Sequence, residues 1–100
     1  MKIGTKLLSQ ACAGEIIVVR AEGVTEPPEA GGVPMVAARP GSPQGDPDGD
    51  GFALGKRYEL VDEANAIKIE LLVTKTGTST LSWGGSPLTT KRAKPLPASD

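Results

Sequence analysis

The sequence contains no histidine and a single cysteine, Cys12. Without an imidazole, neither a Cys–His nor a Ser–His relay can be assembled. A tetrahedral iron or zinc site built from thiolates and imidazoles needs four donors, and this chain has one. One cysteine also excludes an intrachain disulfide, which fits a reducing compartment, so a cytoplasmic protein is expected. Aromatic side chains are equally scarce: Phe52, Tyr58 and Trp83 are the whole set, and the core must be thin and aliphatic. No charge of one sign dominates. Eleven basic residues against twelve acidic ones leave no footprint for nucleic acid or an anionic membrane. No apolar run approaches membrane-spanning length. Lys2, Lys6 and Leu7-Leu8 precede Cys12 as in a lipoprotein signal, but that apolar run is far short of the roughly 7–15 residues of a signal core. Ser9 also stands where a lipobox carries an aliphatic residue, so secretion is not expected.

What the chain has in quantity is glycine and proline, thirteen and nine in 100 residues, and these imply many turns. A chain of this length makes one small domain that buries about two-thirds of its unfolded surface. Residues 1–90 read as a single β domain, and residues 91–100, with Pro95 and Pro97, as an extended tail. So small a core gives marginal stability by itself, and a homo-oligomer or a larger protein partner is expected.

The strongest β signal is Glu15-Ile16-Ile17-Val18-Val19-Arg20-Ala21, four β-branched residues in succession between turns at Ala13-Gly14 and Glu22-Gly23. Residues 3–10 read as a partner strand, with Ile3, Thr5 and Leu7 on one face, giving an antiparallel hairpin across Cys12-Ala13-Gly14. Pro27-Pro28 forces an extended connection, Gly31-Gly32 permits positive φ, and Met35-Val36-Ala37 reads as a short strand. Residues 12–36 are thus expected to form one hairpin arm.

Residues 38–55 carry Pro40, Pro43 and Pro47 among five glycines, with Phe52 and Leu54 as the only large apolar groups, and read as a flexible loop. Over 57–75, Leu60, Ala64, Ile67 and Leu71 match a helical face. Ile67, Ile69, Leu71 and Val73 alternate with polar neighbours over a longer stretch, and Asp62-Glu63-Ala64-Asn65 fits a hairpin turn. Two strands, 56–61 and 66–75, are therefore expected, with a helix as the alternative. Thr76-Gly77 and Gly84-Gly85 then mark turns of a C-terminal meander. The expected fold is all-β, a small antiparallel sheet or partial barrel made of the N-terminal hairpin and this meander.

The stretch from Ser9 to Val36 resembles desulforedoxin and the N-terminal domain of desulfoferrodoxin. In that family a Cys-x-x-Cys-Gly turn leads into a valine-rich strand, and a Cys-Cys-Gly-x-x-Met-Val segment returns to the metal. Cys12 falls on the second cysteine, Ile16-Ile17-Val18-Val19 follows at the family's distance, and Gly32-Val33-Pro34-Met35-Val36 matches the returning segment. Ser9 stands at the first ligand position, and Ala30 and Gly31 at the paired ones. The resemblance therefore implies a descendant that has lost its metal and keeps the turns. The ends, Met1-Lys2-Ile3-Gly4-Thr5 and Lys94-Pro95-Leu96-Pro97-Ala98-Ser99-Asp100, resemble those of small uncharacterised actinobacterial proteins, which implies no function.

Asp46-Pro47-Asp48-Gly49-Asp50-Gly51-Phe52 matches the opening of an EF-hand-type calcium loop: three carboxylates at alternate positions, a glycine for the bend, then the Phe52 carbonyl. The bidentate Glu of the twelfth position is absent, and Arg57 stands there. The alternatives are a weak cation site at Asp46, Asp48, Asp50 and Phe52, or an acidic solvated turn. Cys12 is a candidate nucleophile, read against a plain structural thiol, since no base is available. Trp83 reads as core, Lys91-Arg92-Ala93-Lys94 as a solvated basic run, and no spacing selects an acid–base pair among Glu15, Glu59, Asp62, Glu63 and Glu70. The expected function is a non-enzymatic accessory or interaction module, with no cofactor, that self-associates. A calcium-binding module and a small cysteine-dependent enzyme are the alternatives.

Overall fold

In a computed structural model, which describes residues 2–39 and 41–90, the β-branched run becomes the strand around which one sheet is ordered. This strand, β2 (Glu15–Glu22), buries Ile16 and Val18 completely and leaves Ile17 and Val19 half-buried on the opposite face. β1 (Lys6–Leu8) pairs with it on one side, and β6 (Ile67–Lys75) on the other. β5 (Arg57–Asp62) pairs with β6, and β9 (Thr89–Thr90) with β5, giving the order β1-β2-β6-β5-β9. A smaller sheet, β4-β3-β7-β8, is built from β3 (Glu29–Ala30), β4 (Val33–Pro34), β7 (Leu81–Trp83) and β8 (Ser86–Pro87). All pairings are antiparallel, and both sheets are open. The fold is all-β, and neither sheet closes into a barrel.

Between the sheets lies the core. Leu7, Ile16, Val18, Ile69, Leu71 and Val73 come from the larger sheet, Ala30 and Leu81 from the smaller, and Val24, Met35, Phe52 and Leu88 from connections. Each fully buried aliphatic side chain of this kind contributes roughly 1.5–3 kcal/mol. The alternation of β2 would carry Ala21 out of the core but for a register shift between Val18 and Arg20. That bulge places two residues of β2 against one of β6 and reverses the phase, so that Ala21 packs against the core while Arg20 and Glu22 share the outer face.

Strands form over 57–75, as the longer alternation predicts, and the helical alternative is overturned. Residues Glu63–Asn65 form only a single 3-10 turn, with Asp62 accepting from Asn65 at its start. Both Gly-Gly turns carry positive φ at each glycine and close the two-residue hairpins β3–β4 and β7–β8.

Several expectations are corrected. Residues 12–36 are not one hairpin arm, because β2 pairs with β1 and β6 while β3 and β4 belong to the other sheet. The chain turns away at Gly23 (φ +69), and the buried Val24 and Pro28 anchor the crossing. The strand expected over 3–10 shrinks to three residues, since Gly4 (φ +89) bends the chain and leaves Ile3 exposed. Residues 35–37 form no strand; Val36 makes one bridge to Leu8. No C-terminal meander forms, because β7 pairs with β3 and β8 rather than with β6, and β9 returns to the edge of the larger sheet.

The 38–55 segment has no strand of its own, yet it is fastened to the fold. Gln44 N donates to Gln10 O (2.8 Å), Asp46 N to Gly31 O (2.9 Å), and Phe52 and Gly77 exchange two main-chain bonds. Phe52, expected in a loop, is fully buried. The expectation of an extended tail over 91–100 and the basic run within it lie outside the described residues. Trp83 is half-buried against the core, and its Nε1 donates to Glu26 O (3.0 Å).

Candidate functional site

The β1–β2 turn is made by one buried serine. Ser9, with no exposed surface, sits where the chain leaves β1, and its Oγ accepts from Ala11 N (3.0 Å) and Cys12 N (3.1 Å). Ser9 N donates to Gly14 O (3.0 Å) and closes the turn. With its lone pairs engaged by two amides, the Ser9 hydroxyl keeps its proton for a further acceptor, and Cys12 Sγ lies 3.4 Å away. The position that the metal-site resemblance assigns to a ligand is thus occupied by a hydroxyl that organises the backbone and reaches the one sulfur.

Arg39 clamps the same turn from outside. Its Nε donates to Ser9 O (3.0 Å), one terminal nitrogen to Gly14 O (3.2 Å), and the other lies 3.8 Å from Glu15 Oε2. Glu15 also meets Lys6 (2.9 Å) and Lys75 (4.0 Å). The Lys6 hydrogen bond, helped by the charges of Lys6, Lys75 and Arg39, holds its carboxyl below the ordinary value. A depression of about 190 Å³ opens beside the turn, lined by Gln10, Cys12, Arg39, Ser42 and Pro43 among others.

Burial pushes the Cys12 thiol up, but hydrogen bonding with the Ser9 and Ser79 side chains and with the Gly14 and Ser79 backbone outweighs it. The thiol falls from an ordinary 9.0 to about 6. Iodoacetamide alkylation followed against pH is therefore expected to show a midpoint near 6; a midpoint at the ordinary value would mean that the serine contacts do not hold the thiolate. The linkage has a definite sign. An acid whose folded pKa is depressed contributes stability that is complete above its unfolded value and vanishes as pH falls through the folded one. Cys12→Ser should accordingly cost more at pH 9 than at pH 6, and a pH-independent cost would contradict this.

Of the other two positions singled out by the resemblance, Gly31 lies against this turn. Gly31 approaches Ala11 and Asp46 so tightly that a Cβ on it would stand 2.8 Å from Ala11 Cβ and 2.3 Å from Asp46 O. Ala30 is completely buried in β3.

Asp46, Asp48 and Asp50 lie along a strap that runs beside residues 77–80. Asp46 Oδ1 accepts from Asp48 N (2.9 Å), and Asp46 O from Ser79 Oγ (2.8 Å). Asp50 N donates to Thr80 Oγ1 (3.0 Å), and the Phe52 carbonyl accepts from Gly77 N (3.0 Å). Among the described residues, no three His, Cys, Asp or Glu side chains come together in a group that could hold a metal ion. Of the acidic residues that sequence reasoning could not separate, Glu70 is buried at the centre of β6 with Arg57 3.4 Å away, and Glu59 faces it across the sheet.

Sequence reasoning found Cys12 and missed Arg39, Ser79 and the structural use of Ser9. No helix among the described residues is long and apolar enough to cross a membrane. Comparison with known proteins gave no matching family model, no matching curated protein and no matching solved structure.

Proposed function

We propose that the chain is a non-enzymatic interaction module that docks through main-chain pairing at a sheet edge. The observation that carries this reading is the half-covered β2. β1 and the residues before it reach only as far as Val18, and among the described residues no strand lies along the outer side of 19–22. An uncovered stretch of strand presents N–H and C=O groups to another chain. The lack of any histidine supports the absence of a Cys–His or Ser–His relay, and no cofactor is invoked.

Capture of partners from the native cell, followed by hydrogen exchange on the complex, tests the reading. Slowed exchange at the 19–22 amides is expected; protection confined to other surfaces would remove it.

A second reading is a thiol-dependent activity, favoured by the hydrogen-bonded Cys12 beside the depression lined by Arg39. Alkylating Cys12 separates the two, because edge docking should survive the modification and thiol chemistry should not.

A further inference from the structure

We propose that two copies of the chain join through residues 19–22 of β2, antiparallel and centred on Ala21, to form one continuous sheet. This rests on the interaction-module reading and names its partner as a second copy. Ile16 to Val18 are paired on both sides within the chain, by β1 or Thr5 and by β6. What remains open is the charged half of the strand.

Arg20 and Glu22 are each about half exposed, share the outer face and contact one another. A two-fold axis through Ala21 sets Arg20 opposite Glu22 of the second copy, and Glu22 opposite its Arg20. Cross-strand pairs of opposite charge stabilise such a ladder. Within each copy β6 already sets Glu70 opposite Arg20 and Lys68 opposite Glu22. Across the joined sheet the row then runs Glu70, Arg20, Glu22, Lys68, alternating in sign from one copy into the next. Ala21 at the axis points to the core side and adds no bulk to the outer face.

Residues 60–62 of β5, another stretch of strand with no neighbour on its outer side among the described residues, lack this property. The same operation about Val61 sets Leu60 opposite Asp62. A single charge guards an edge against all comers. Opposite charges two residues apart repel mismatched strands and admit an inverted copy of themselves.

Sedimentation of the full chain up to about 1 mM, a range that reaches the affinities of small interfaces, tests the proposal. The wild type should dimerise. R20E and E22R each set like charges opposite one another and should weaken self-association at least about tenfold. An equimolar mixture of R20E and E22R should restore a heterodimer. Both single variants lose the contact between Arg20 and Glu22 within the chain, so only pairing between copies explains recovery in the mixture. If either variant fails to fold, the 19–22 amides of the wild type supply the reading, since their exchange must slow as concentration rises. A wild type that is monomeric at the highest concentration, or a mixture that stays monomeric while the wild type dimerises, overturns the proposal. A monomer whose 19–22 amides are still protected by a captured partner would remove the second copy and leave the interaction module standing. Protection in neither experiment would remove both.

Discussion

Phe52→Ala is expected to destabilise the fold by about 3–5 kcal/mol, the usual cost of deleting a buried phenylalanine ring. Phe52 is 2% exposed and is the only phenylalanine in a core otherwise built of small and aliphatic groups. Its ring fills a slot shaped by two glycines: a Cβ on Gly14 or Gly77 would stand 2.2 Å from the ring. Small neighbours of this kind cannot swing inward to fill the space, so the cavity stays open and the loss falls toward the upper part of that range. Against a total of about 5–15 kcal/mol for a domain, the variant would be close to unfolding. Urea denaturation with the two proteins side by side measures it. A loss below about 1 kcal/mol would mean that the ring is not anchored between these glycines.

Gly31→Ala should cost roughly 2–4 kcal/mol, from two sources. Gly31 has φ +68, a region where an L side chain costs about 1–2 kcal/mol. The added methyl would also strike the Asp46 carbonyl and Ala11, neither of which is the free end of a flexible side chain. Its neighbour is the control. Gly32 has φ +82 but nothing within 4 Å of its missing Cβ, so Gly32→Ala should carry the conformational cost alone. Equal losses in the two variants would show that residue 46 is not seated on this turn.

Where one physical rule acted over a short span, the sequence was informative. The β-branched run became β2, and the period-two pattern with Asp62-Glu63-Ala64-Asn65 as its turn became β5 and β6. Both Gly-Gly pairs became two-residue turns. Sheet membership was not legible, because hydrophobic alternation records which face of a strand is buried and not which strand lies beside it. Thus β7 reads as the next strand of a meander after β6, although its neighbours are β3 and β8. The 38–55 segment was opaque for another reason. Its attachments run through main-chain groups and the hydroxyls of Thr76, Ser79 and Thr80, which leave no periodic trace. Phe52 looked isolated because the glycines that receive it lie 38 residues before it and 25 after, at positions 14 and 77. At the candidate site the lone cysteine was visible, but the lowering of its thiol depends on Ser79, which no local spacing connects to it.

The pairing of β2 with β6 also has a history in time. Ile16 meets Val73, so the central ladder of the larger sheet closes across more than half the chain. At a synthesis rate of about 5–20 residues per second, β2 waits roughly 3–10 s before its partner has been made. Through that interval β1 can cover one side of Ile16–Val18, while the other side has no partner strand yet. Contacts of such long range also slow refolding in vitro. The newborn chain therefore passes through a stage more prone to clumping than the finished fold, and its yield should depend on how quickly residues 67–75 follow.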